Sequence, residues 1–362
     1  MKKHKISQIT AFAGLVAVLS LSALSNAAGQ DKPFAGVNLR VGTFGGPWTE
    51  IQKELLQPQM EALGATVTYI PGSPQANMAK LIAARGSEPP MDVLEIIDAI
   101  VPDMKEGGFL QPLDLSRIPN TKHLAKGQYN DLMVANWTTQ EGICYNSKKF
   151  EELGIPAPKT YNDLGHPKLA GRVQIPDIVS GGGLTAVAGF SYANGGDLEN
   201  IKPGLDAIAN LKALKFWKRG GETLTQLKSG DIYAAVIHAG WCVRAANAGM
   251  TVASAHPVIN ANTKGVVKQG WMGVVNGINP KSAMAAHAYI NMFIEADFQK
   301  IFAIKRGVVP ENLLSLKGLE DDPTLKRMML LDPNDISKML HIDFSKVNVS
   351  EWHDQWNRTV TK

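Results

Sequence analysis

Cysteine is scarce in this chain: 362 residues hold two, Cys144 and Cys242, far apart and without His or Cys neighbours at metal-ligand spacing. That excludes a disulfide-dense scaffold and a zinc ribbon, and leaves either one disulfide or two buried thiols. Catalytic signatures are missing too. There is no Gly-x-Ser-x-Gly elbow, no His-Glu-x-x-His, no Cys-x-x-Cys and no nucleotide fingerprint. His238 and His256 have no nucleophile nearby in sequence, so a structural or hydrogen-bonding role is expected of each. Distant residues can still assemble a triad, so a secreted hydrolase stays open as a reading of another class. An excess of one charge is also lacking. The chain carries 37 basic and 33 acidic residues, and residues 1–27 supply three lysines and no acid, leaving 34 against 33 beyond them. A surface that grips phosphate backbones needs concentrated positive charge, so nucleic acid is excluded as a partner.

What is present begins with the N-terminus. Lys2, Lys3, His4 and Lys5 precede a mostly apolar stretch from Ile9 to Leu24, and Ser25-Asn26-Ala27 places small residues at a cleavage site. This reads as an export signal over residues 1–27, with a mature start near Ala28 and the periplasm as destination. The apolar run is short for a bilayer span of about 20 residues, and no later stretch reaches that length.

The remainder exceeds one ordinary core, so two lobes are expected. Strand-like alternation over 37–43, helical periodicity over 48–63, a strand over 65–70, a helix over 74–85 and a buried strand over 91–97 give a β-α-β-α-β unit, with a break expected near Gln57 because Pro58 follows. A second unit runs through strand 172–175, helices 184–193 and 203–219, strand 232–237, a helix from Trp241 and strand 251–254. Two extended stretches, 136–146 and 273–278, are expected to cross between the units as hinges, and helices dominate from Ser282. The fold class is therefore α/β: two lobes, each a mixed, mostly parallel sheet flanked by helices, joined by two crossings. Lobe 1 is expected to hold residues 30–137 and 272–362, with the seat of the C-terminal helices open, and lobe 2 residues 138–271.

In open α/β sheets ligands bind beyond the carboxyl ends of the strands. The first such loop is Phe44-Gly45-Gly46-Pro47-Trp48, where Phe44 and Trp48 offer flat apolar walls. The third strand delivers Glu95 and Asp98, of which Asp98 lies nearer the exit and is preferred. In the second unit Asp177 follows a strand, and Ser180-Gly181-Gly182-Gly183 opens a helix with no Lys-Ser or Lys-Thr after it, which excludes a nucleotide P-loop. His238-Ala239-Gly240-Trp241 repeats the strand, glycine, helix form and brings Arg244. Trp137 and Trp271 flank the crossings, whereas Trp352 and Trp356, one helical turn apart, read as packing residues.

These residues resemble the extracellular solute-binding proteins of bacterial ABC importers, in the branch that includes spermidine/putrescine-binding proteins and related iron, thiamine and phosphonate binders. The stretch Gly142-Ile143-Cys144-Tyr145-Asn146, closing in Phe150, is similar to the family's hinge strand and helix. Pro158-Lys159-Thr160-Tyr161-Asn162-Asp163-Leu164 before Gly171-Arg172-Val173 matches its turn and strand, and Gly45-Gly46-x-Trp48 its first ligand loop. The resemblance implies the two-lobe fold, a small polar solute as ligand, an inner-membrane ABC permease as partner, no enzymatic activity, no cofactor or metal, and a monomer. Polyamine binders of this branch sandwich the ligand between aromatic rings and neutralise it with carboxylates. Trp48, Trp241 and Trp271 fit the first requirement, but Met272-Gly273-Val274-Val275-Asn276 stands where the polyamine pattern carries an Asp, and the adjacent tyrosine pair of ferric binders is absent. An amine-bearing ligand held by Asp98 and Asp177 is the favoured expectation. A small anion, phosphonate or carboxylate, held by Arg244 and helix N-termini is the alternative. Mass spectrometry of the exported protein should find a mature N-terminus near Ala28, and recovery of the full-length chain from the cytosol would refute the signal assignment.

Overall fold

A computed structural model of the chain describes residues 32–361; the export segment lies outside the described residues. The first block is β1 (Asn38–Thr43), α1 (Pro47–Leu55), α2 (Gln57–Ala62), β2 (Thr66–Pro71), α3 (Pro74–Ala83), β3 (Val93–Ile97) and α4 (Val101–Glu106). The helix expected over 48–63 breaks at Leu56, and Pro58 sits in the first turn of α2, where its missing N–H has no helical partner to lose. β4 (Val134–Asn146) then runs into the second block: α5 (Ser147–Glu152), β5 (Val173–Pro176), α6 (Gly183–Ala193), α7 (Lys202–Asn210), β6 (Lys215–Trp217), α8 (Gly220–Ser229), β7 (Ala234–His238), α9 (Ala239–Asn247) and β8 (Val252–Ala255). A small hairpin of β9 (Val258–Asn260) and β10 (Thr263–Lys264) leads to the return crossing, β11 (Val266–Val274). The chain finishes in α10 (Pro280–Phe293), α11 (Ala296–Arg306), α12 (Pro323–Met328), α13 (Pro333–Ser337) and α14 (Val349–Thr359).

The main sheet has nine strands, in the order β2-β1-β3-β11-β4-β7-β5-β6, with β8 also pairing β4. β1, β2 and β3 are parallel to one another, as are β5, β6 and β7. The two crossings lie between these parallel sets, and β11 is antiparallel to both β3 and β4. Their registers set the layout of the molecule. Ile97, the last residue of β3, stands level with Gly270 and hence with Trp137 of β4, while His238, the last residue of β7, stands level with Glu141. The carboxyl ends of the two parallel sets therefore face each other along β4, four residues apart, about 13 Å at ~3.3 Å per residue. Two hydrophobic cores flank this region, one centred on Val41, Ile96, Phe293 and Phe302, the other on Ile143, Tyr161, Val187 and Trp356.

Three expectations change. The helix expected over 203–219 stops at Asn210, Lys212 takes a left-handed φ of 49°, and residues 215–217 become an edge strand beside β5. Apolar spacing alone cannot separate these states; the unpaired edge of β5 and the Trp217 indole, which donates to the Val236 carbonyl, decide it. The return crossing lies at 266–274 rather than 273–278, so Trp271 sits inside it. The C-terminal helix α14 packs on α7, with Trp352 Nε1 donating to Leu198 O and Trp356 edge-to-face against Phe216.

The open question about cysteine also resolves. Cys144 of β4 and Cys242 of α9 form a disulfide across a sequence separation of 98 residues. Closing so long a loop removes much freedom from the unfolded chain, so Cys144→Ser with Cys242→Ser should lower the unfolding free energy by about 2–4 kcal/mol in urea titrations. A change within experimental error would show that the link adds nothing.

Candidate functional site

The crossing strands form the floor between the opposed strand ends. Side chains alternate along a strand, so Trp137, Thr139 and Glu141 of β4 share one face, with Lys268 of β11 opposite Thr139. Thr138, Gln140 and Gln269 take the other face. There Thr138 and Gln269 donate to the buried Glu311 carboxylate at 2.6 and 2.9 Å, and Leu330 N donates to Gln140 Oε1. The chain after α11 thus covers the second face, while Trp137, Thr139, Glu141 and Lys268 on the first are themselves buried.

At the first-block end, Glu95 is the centre. Its carboxylate is 1% exposed and accepts from five side chains: Thr43 Oγ1, Trp48 Nε1 at 3.1 Å, Gln52 Nε2 at 3.0 Å, Asn136 Nδ2 at 3.2 Å and Trp137 Nε1 at 3.1 Å. Burial pushes its pKa up, and the Thr43, Trp137, Trp48 and Gln52 donors oppose that rise. The two indole bonds fix the aromatic wall. Phe44, Trp48 and Trp137 stand mutually edge-to-face with ring centroids 5.3–6.0 Å apart, and Trp48 also meets Phe302. The Trp137 ring lies over Gly270, where a Cβ would collide with the indole. Asp98, half-buried just beyond β3, accepts from Ala99 N at 2.8 Å and Gln269 N at 3.0 Å. Burial raises its pKa to about 7 against the pull of the Gln269 N–H and of Lys268.

Along the floor, Lys268 Nζ bridges Glu141 at 3.1 Å and the Gly181 carbonyl at 3.1 Å, with side-chain exposures of 10% and 1% for the ion pair. At the second-block end Asp177 accepts from Val179 N at 3.1 Å, and the Trp217 ring packs on Gly182. Trp241 lies against Gly220, and the Arg244 guanidinium stacks over its ring at 3.7 Å. Burial, with Arg306 nearby, lowers the Arg244 pKa to about 9. Burial also drives His238 well below its usual value, with Lys268 and Arg244 adding to the effect.

Of the residues singled out from sequence, Phe44, Trp48 and Trp137 meet in one cluster, Asp98 adjoins the floor, and Trp241 and Arg244 form a second group. Trp271 is not joined to either: it pairs with Ile96, one step from Glu95 in the alternation, and so lies on the opposite face, packed against the first core. Sequence reasoning weighed Glu95 and preferred Asp98; it passed over Glu141 and Lys268. The cue for Lys268 was a lysine three residues before Trp271 in an extended stretch. Two open surface depressions, 460 Å³ beside Lys300 and 380 Å³ beside Arg40, involve none of these residues. Among the described residues no three His, Cys, Asp or Glu side chains converge as metal ligands would. Replacing Glu95 by Gln turns an acceptor toward donors, so E95Q should cost about 1–3 kcal/mol of stability and shift the tryptophan emission. Unchanged stability and emission would remove Glu95 from its central place.

Solved structures of similar fold cover almost the whole described chain. A structure described as an ABC transporter from Clostridium perfringens ATCC 13124 aligns with a TM-score of 0.69 at 20% identity, over 89% of this chain and 99% of that one. The periplasmic binding protein MotA from A. tumefaciens B6, in complex with glucopine, gives 0.71 at 19% identity over 89% and 99%. A structure described as a spermidine/putrescine ABC transporter from Listeria monocytogenes gives 0.69 at 18% over 90% and 98%. At such identities the likeness carries the fold alone. No curated protein matches the chain by sequence. The profile of the bacterial extracellular solute-binding proteins matches residues 54–327, well over half of the sequence, and the chain belongs to that family.

Proposed function

We propose that the protein is the solute-binding component of an ABC importer, exported to the periplasm, which closes two lobes over a small amine-bearing solute and hands it, as a monomer, to an inner-membrane permease. In this reading lobe 1 is residues 30–137 with the chain from 272 up to α14, and lobe 2 is residues 138–271 joined by α14, whose Trp352 and Trp356 lie in the second core. Family membership and the opposed strand ends support capture between lobes, and closing them along the β4 and β11 crossings is hinge motion rather than bond chemistry. A hydrolase reading finds little support, because among the described residues His238 bonds to no Ser, Thr or Cys hydroxyl or thiol.

The observation that carries the amine is the make-up of the first-block end. Among the described residues it presents aromatic rings and a carboxylate without a free cation: the half-buried Phe44 and Trp48 rest on the buried Trp137 and Glu95, Asp98 stands at the rim, and Lys268 is already paired with Glu141. An indole whose N–H donates to a carboxylate offers a more electron-rich face to a cation. The glucopine complex and the spermidine/putrescine description belong to other proteins of the fold and differ from each other, so the ligand class rests on these residues.

Calorimetry against linear diamines tests it. Asp98→Asn should weaken binding by about 2–5 kcal/mol, the range for losing one partner of a buried charge pair. The pH dependence has a definite sign. The amine stays protonated below pH 8, whereas the competent carboxylate form of Asp98 becomes rarer as pH falls through its pKa of about 7. The groups around it are Lys268, Glu141 and the Gln269 and Ala99 amides, so affinity should drop about tenfold per pH unit below that value. Affinity that is flat from pH 8 to 5, or unaltered in D98N, would exclude Asp98 as the counter-charge.

A further inference from the structure

The second-block end has the opposite character. Among the described residues Arg244 makes no ion pair: its Nε donates to Gly240 O at 2.9 Å, no protein acceptor takes its two terminal amino groups, and its guanidinium is held flat by the Trp241 ring. His238 supplies an independent sign of a missing partner, since its Nδ1 is buried without any hydrogen bond while its ring stands 5.9 Å from that of Trp241. These groups surround the start of α9, whose first-turn N–H groups receive no side-chain cap. Lys218 and Arg219 follow the end of β6 at the same edge of the sheet, both exposed and neither ion-paired among the described residues. The carboxylate on this side, Asp177, bonds the Val179 amide and makes no ion pair with Arg244.

A guanidinium fixed in a plane with a free fork matches a carboxylate in geometry as well as charge. We infer that the solute is a short zwitterion, with its amine toward Asp98 and the aromatic wall of the first lobe and an acid group toward Arg244 and His238 of the second. The amine end rests on the reading given above; the acid end rests on Arg244 and His238 alone. The opposed strand ends stand about 13 Å apart along β4 at ~3.3 Å per residue, a separation on the scale of a short chain with a charged group at each end. Such a ligand satisfies both ends only when the lobes approach, so closure is coupled to the presence of both charges on one molecule.

Calorimetry on matched linear compounds of three to six carbons separates the cases: the diamine, the ω-amino acid and the dicarboxylate of each length. At the best length the wild-type protein should bind the amino acid at least tenfold more tightly than the diamine. In Arg244→Gln that advantage should vanish while diamine affinity holds or tightens, since the second ammonium no longer faces a cation, and Arg244→Lys should restore part of it. Thermal melts establish that the variants are folded, and the wild-type comparison stands even if they are not. A diamine that binds as tightly as the amino acid, or an advantage that survives R244Q, overturns the acid end and leaves the amine end standing. A dicarboxylate that binds best and ignores D98N overturns the amine end. Failure of every amino acid in the series to bind overturns the zwitterion outright.

Discussion

The antiparallel pairing of β4 with β11 is the constraint on which the rest of the molecule depends. Both strands pass from one parallel set to the other, and their register decides which residues are level with the end of β3 and which with the end of β7. A shift of one residue would exchange Trp137, Thr139, Glu141 and Lys268 between the faces with Thr138, Gln140 and Gln269, which the chain after α11 now covers. Several features oppose such a slip. Gly270 fits only beneath the Trp137 ring, Lys268 is paired with Glu141, and the amides of Thr138 and Val309 exchange hydrogen bonds at the edge of β4.

Charge is distributed along this floor in an ordered way. Glu95 is buried and, among the described residues, meets neutral donors rather than a cation, two of them the Trp48 and Trp137 indoles, so that one side chain fixes the aromatic cluster. Lys268, opposite Thr139, pairs with Glu141, level with the end of β7, and the two compensate each other. At the far end Arg244 stacks on Trp241 and, among the described residues, forms no ion pair. Buried polar groups normally find partners within the fold, and those that do not point to something that arrives later.

Two further contacts hold α9 in place. The disulfide from β4 to α9 fastens the helix carrying Trp241 and Arg244 to the crossing strand. Gly240 packs directly against Gly307 at the end of α11, where side chains would hold the backbones apart. The basic group of the site is thus held by its backbone on both sides, while the long side chain of Arg244 keeps its terminal amino groups free.

Local pattern was enough for much of the fold. Alternation and helical spacing in residues 37–97 determined the β-α-β-α-β order, Pro58 determined the break between α1 and α2, and the strand-exit rule led to Phe44, Trp48, Asp98, Trp241 and Arg244. These features depend on neighbours within a few residues, so a sequence carries them openly. What tertiary structure alone decided depends on distant pairing. Residues 215–217 became a strand because β5 offered an edge; Cys144 met Cys242 because α9 packs on β4; Glu95 rather than Asp98 became the buried centre because its alternation in β3 points it at Thr43, Trp48 and Trp137 from three other elements. Trp271, promising by its position in the chain, was turned to the opposite face by a register that only its partners β3 and β4 specify.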